Sequence, residues 1–68
     1  MGTKWEFFEL DGAYFRKRAN SGLAAVDDVF WPEGWTPYRG DPCRPFCWGS
    51  KISESELPVA ARASRAAN

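Results

Sequence analysis

The sequence predicts an α+β fold: a small four-stranded antiparallel sheet built from two hairpins, with a C-terminal capped helix or helical turn. Three observations carry this. Asp11-Gly12 separates two aromatic-rich runs, Pro32-Glu33-Gly34 separates two shorter ones, and Ser53 is followed three residues later by Glu56. Residues 1–57 then form one compact β-rich domain, and 58–68 an Ala/Arg-rich tail, a short helix or frayed.

The first hairpin spans Lys4 to Arg18, KWEFFELDGAYFRKR. A type I′ turn needs positive φ at both central positions, which Asp-Gly tolerates, so this is a strong short-range hairpin signal. The turn sets Leu10 opposite Ala13, Phe8 opposite Phe15 and Glu6 opposite Lys17. On the other face Glu9 meets Tyr14, Phe7 meets Arg16 and Trp5 meets Arg18. One face thus offers Phe8, Leu10 and Phe15 to a core, with an opposite-charge pair at its end. The other sets aromatics beside arginines, a setting for cation–π contact and for a partner.

Asn20-Ser21-Gly22 is a turn. Leu23 to Trp31 is ambiguous: Leu23, Ala24 and Ala25 tolerate a helix, whereas Val26, Val29, Phe30 and Trp31 favour a strand. The second half, about Val26 to Trp31, is read as a strand, with Val26, Asp28 and Phe30 on one face. Pro32-Glu33-Gly34 closes the second hairpin as a three-residue loop. Trp35 to Tyr38 returns, and Pro37, lacking a donor, places this strand at an edge or ends it.

Asp41 could cap a helix with Pro42 at its first position, but Pro45 biases Arg44 away from helical angles, so at most one turn is expected. Asp41 to Gly49 reads better as an ordered loop, with Phe46 and Trp48 tucked under the sheet. Ser53 and Glu56 make a capping box, with Ile52 and Leu57 at the staple positions. Pro58 either stops that turn or opens a new helix. Val59 to Ala67 is Ala-rich, with Arg62 and Arg65 suiting the helix dipole, yet nothing large and apolar follows Val59, so fraying is expected.

Sixty-eight residues make one domain, and eleven aromatic side chains argue against disorder over residues 4–48. Nine basic and nine acidic side chains cancel, and His is absent. The distribution is uneven: residues 1–20 carry net +1, residues 21–42 net −3 and residues 43–68 net +2. A neutral chain is not the strongly basic kind that points to nucleic acid, and an acidic middle is compatible with a basic protein partner. No apolar run suggests a signal peptide or a membrane span, so a cytoplasmic protein with reduced thiols is expected.

Several chemistries are thereby disfavoured. There is no His for base work, no nucleophile elbow and no Gly-rich phosphate loop, so no catalytic residues and no enzyme are expected. Asp27 and Asp28 are adjacent and point to opposite faces of a strand, so they make no carboxylate dyad. Cys43 and Cys47 are two thiols in a CxxxC spacing, short of the four ligands of a structural zinc and unlike the CxxC of redox proteins. They read as small buried or half-buried thiols near Phe46 and Trp48, with no metal and no cofactor expected; a zinc shared across a dimer is the other reading.

Two surfaces remain. Asp27, Asp28, Glu33 and Asp41 around Trp35 form a candidate protein-binding rim and anchor, able in principle to imitate the phosphate field of DNA. The alternative is a nucleic-acid face of Trp5, Phe7, Tyr14, Arg16 and Arg18, where bases would stack while cations follow the backbone. A structural subunit held in an oligomer by exposed tryptophans is the third reading.

The aromatic DG hairpin with Tyr14-Phe15-Arg16, then Trp35 to Asp41, then WGSKISESE at Trp48 to Glu56, resembles small accessory proteins of phages and mobile elements. Some of these are similar to type I anti-CRISPR proteins, and the likeness covers residues 4 to 57. It implies a non-enzymatic protein of the host bacterial cytoplasm, a monomer or small homo-oligomer, that binds a CRISPR effector (Cas) subunit. Blocking would fall on target-DNA recognition, at the groove sensing the protospacer-adjacent motif, without direct contact to nucleic acid or membrane. Strongly acidic DNA mimics differ from this neutral chain.

Overall fold

The Asp11-Gly12 turn forms as its chemistry requires, with φ of 52° and 82° at the two central residues. The computed structural model describes residues 4–31 and 34–66, the last four as backbone only. β1 (Trp5–Leu10) and β2 (Ala13–Arg18) pair antiparallel with Phe8 opposite Phe15 and Leu10 opposite Ala13. The Glu9 carboxylate accepts the Gly12 N–H at 2.8 Å and reinforces the reversal.

β3 (Asp28–Trp31) pairs with β2, and β4 (Gly34–Pro37) pairs with β3, so the second hairpin also forms. Pro32 and Glu33 of its expected loop lie outside the described residues, and Gly34 belongs to the strand opposite Trp31 rather than to the turn. β4 ends at Pro37 on the sheet edge, where a missing donor disrupts no ladder.

The sheet has five strands, not the four expected. β5 (Ser50–Ile52) lies along the free edge of β1, giving the antiparallel order β4-β3-β2-β1-β5. Three residues are too few for an alternation to be read, and a vacant edge, not local propensity, recruits them.

Cys43–Trp48 is a helix, α1, rather than a loop. Pro45 is tolerated because it lies in the first turn, where backbone N–H groups have no intrahelical acceptor. Its ring is fully buried. Asp41 Oδ1 accepts the Cys43 N–H at 3.1 Å, but Pro42 rather than Asp41 is the N-cap residue and Cys43, not Pro42, is the first helical residue. Gly49 then carries the chain directly into β5: a Cβ there would stand 2.5 Å from Pro45 O and 2.8 Å from Glu9 O. That close backbone approach is why a glycine is needed.

Both faces of the sheet are covered. On one, Phe8, Phe15, Val26 and Val29 are buried beneath Tyr38 and Phe46. On the other, Phe7 is buried with Leu57 and Ala61, flanked by Trp5, Tyr14, Phe30, Trp35 and Ile52. Leu57 follows a 3-10 turn, Glu54–Glu56, and α2 (Val59–Ala66) starts directly after Pro58. α2 is seated on the sheet instead of hanging free: Ala61 is wholly buried and its carbonyl accepts the Trp35 Nε1–H at 3.2 Å. The anchor is a small residue, which lets the helix approach the indole closely. Val26 joins the Phe8 side, not the Asp28 and Phe30 side expected of a continuous strand. The strand starts only at Asp28, and before it Val26 donates to Pro42 O at 2.9 Å while Asp27 donates to Arg16 O at 2.8 Å.

The capping box holds as expected. Glu56 Oε2 accepts the Ser53 N–H at 2.9 Å and the Ser53 hydroxyl at 3.0 Å. The backbone bond first, then the hydroxyl, keep the Glu56 carboxyl below its usual pKa. A carboxyl with a lowered folded-state pKa stabilises the fold above its unfolded value, and that contribution is lost as pH falls through the folded one. The stability difference between the parent and Glu56→Gln should therefore be steady near neutrality and shrink in acid. Urea midpoints over a pH series measure it; a difference that grew on acidification would contradict the box.

Candidate protein-binding surface

The aromatic–cationic face is occupied by the protein itself. Arg16 is 9 % exposed, its guanidinium lying 3.9 Å from the Trp5 ring centroid and 4.7 Å from that of Trp35. Its Nε donates to Asp28 Oδ2 at 2.7 Å. Phe7 is buried, and Tyr14 packs at the edge of the same cluster. Of the five residues expected to stack bases or follow a phosphate chain, Arg18 is the exposed one. The other four line a core under α2 and Leu57.

The acidic set is not one surface. Asp28 is committed to Arg16, and Asp27 Oδ2 accepts the Arg18 N–H at 2.8 Å, taking the place of a ladder carbonyl. Glu33 lies outside the described residues. Trp35 is packed against Phe7 and Phe30, at centroid distances of 6.0 and 5.5 Å, and so is no exposed anchor. Of the three described acids, Asp41 is the exposed one, and it lines a groove. The Glu6–Lys17 pair is opposed in register, yet the side chains part: Lys17 Nζ, buried, donates to Arg18 O and Ser21 Oγ, each at 3.0 Å. Glu6 turns to Lys51 at 3.8 Å.

The open surface is elsewhere. A groove of about 580 Å³ runs between the end of β1 and α1, lined by Leu10, Asp41, Cys43, Arg44, Cys47 and Trp48. Trp48 is 78 % exposed, not tucked under the sheet, because the helix turns Pro45 and Phe46 inward and leaves the following residues outside. Both cysteines are exposed as well, contrary to the buried or half-buried thiols expected. Trp31, 54 % exposed, borders a second groove beside Pro37, Tyr38 and Arg39. Trp31 and Trp35 flank one turn, and the sequence alone does not separate them as anchors. Only the pairing of Phe30 with Trp35 shows which of them faces the core.

Among the described residues no helix is long and apolar enough to cross a membrane, and no group of three or more His, Cys, Asp or Glu could hold a metal ion. Comparison of the chain with protein-family models, with curated proteins and with solved structures finds no match.

Proposed function

We propose that this chain is a non-enzymatic binding domain that engages a protein partner through the groove between Leu10 and α1, with Trp48 as its anchor. The observation that carries the reading is Trp48 at 78 % exposure beside a groove that Leu10 also lines, in a domain that packs Trp5 and Trp35 into a core. An exposed aromatic at a groove marks an interaction site, and Trp is enriched where binding energy concentrates. Asp41 and Arg44 at the same groove supply one charge of each sign for a polar rim. Affinity then rests on the indole, and charge mimicry of DNA is secondary, since Asp27 and Asp28 are engaged internally.

The resemblance to phage accessory proteins supplies the partner: a subunit of a type I CRISPR effector in the bacterial cytoplasm, blocked in target-DNA recognition. Binding of target DNA by a purified type I effector complex, measured against increasing amounts of the chain, tests this. The parent should inhibit, and Trp48→Ala should weaken inhibition about 30-fold, the effect of losing a hot-spot contact of about 2 kcal/mol. Unaltered DNA binding at saturating parent overturns the effector as partner. Equal inhibition by parent and Trp48→Ala overturns the surface. Direct, steeply salt-dependent binding of an oligonucleotide by the chain alone would restore the nucleic-acid alternative.

A further inference from the structure

The feature that the binding role leaves unused is the pair Cys43 and Cys47. Both are exposed, both are on α1, and both line the same groove. Four residues apart on a helix, they are neighbours on one face, with Cβ atoms about 5–6 Å apart. A disulfide requires Cβ atoms about 3.5–4.5 Å apart, so the helical pair is too widely set for one. A cation bridging two thiolates has bonds of about 2.3 Å each and holds the sulfurs about 3.8–4.6 Å apart, which the longer Cβ separation accommodates. The spacing therefore suits chelation where it does not suit oxidation.

From this we infer that Cys43 and Cys47 form a two-thiolate chelating site for a soft, thiophilic cation. Thiolates select soft ions over magnesium or calcium. Among the described residues no third His, Cys, Asp or Glu completes a metal-holding group, so water or small solutes fill the remaining positions. The Asp41 carboxylate at this groove is held by the Cys43 N–H and fixes the start of the helix that carries both sulfurs. Each thiol gives up its proton as its sulfur bonds the ion, so one divalent ion releases two protons and nothing is oxidised or reduced. Helix geometry at Cys43–Trp48 is set by buried Pro45 and by the Gly49 N–H bond to Pro45 O at 3.0 Å, so the turn that carries both thiols forms without an ion. This site is independent of the partner reading: it needs no second protein.

Cadmium is the probe. Titration of the reduced, untagged chain should give the ultraviolet thiolate-to-cadmium charge-transfer band, one ion per chain, and two protons released per ion. Cys43→Ser and Cys47→Ser should each weaken binding by about a hundredfold or more, because the second bond of a chelate forms at high effective concentration. Cys47→Ser combined with Arg44→Cys keeps two thiols but sets them at adjacent positions, which do not face each other on a helix, and should bind as weakly as the single variants. Thermal melts establish that each variant is folded; the replaced residues are exposed, so melting should shift little. Parent binding no tighter than that of either single variant overturns the site, as does full affinity in the adjacent-thiol variant. One ion per two chains, ligated by four thiolates, would overturn the single-chain site in favour of a shared one.

Discussion

Trp35→Ala should destabilise the domain by about 3–5 kcal/mol, the range for deleting a large aromatic from a packed cluster. The side chain lies against Phe7 and Phe30, stacks over the Arg16 guanidinium and donates to the Ala61 carbonyl. For a chain of this length total stability is about 3–10 kcal/mol, so the variant is expected to be largely unfolded at 37 °C. Trp35→Phe separates the contributions. It keeps most of the ring contact and loses only the hydrogen bond to α2, about 1 kcal/mol. Amide exchange should then quicken at Ala61 and Arg62 ahead of the β1–β2 hairpin, reporting release of the helix from the sheet. If Trp35 were a free partner-binding anchor, Trp35→Ala would instead keep its melting temperature and lose only binding.

Asp28→Ala should cost about 3 kcal/mol, measured as a shift in urea midpoint with unchanged slope. Asp28 and Arg16 are 18 % and 10 % exposed at their side chains, so removing the carboxylate leaves a guanidinium desolvated between two indoles without its counter-charge. Replacing both charges tests the cause. Arg16→Met with Asp28→Leu should recover most of the loss, because a buried ion pair exchanged for apolar residues of similar volume is often neutral or favourable. A double variant as unstable as Asp28→Ala alone would show that shape, not charge, was responsible.

Residues with a functional look in the sequence are structural in the fold. Asp28, Trp35, Trp5 and Arg16 carry every surface sign of a recognition site: charge, aromaticity and adjacency in register. In the folded chain they satisfy one another. The groove proposed for a partner is lined instead by Leu10, Asp41 and Trp48, from two distant parts of the chain.

What the sequence determined by itself is local. The Asp11-Gly12 reversal fixed the β1–β2 register to the residue, since positive φ at both turn positions admits one pairing. Ser53 and Glu56 fixed the 3-10 start, and Pro37 fixed an edge, because each depends on neighbours within three or four residues. Tertiary structure decided the rest. Whether the Trp5 face meets solvent depends on where Leu57 and Ala61 land some fifty residues later, and β5 forms only because β1 has an unpaired edge. Alternation tells which side chains share a face; what covers that face is set by long-range packing, a contest among apolar surfaces that no local pattern records.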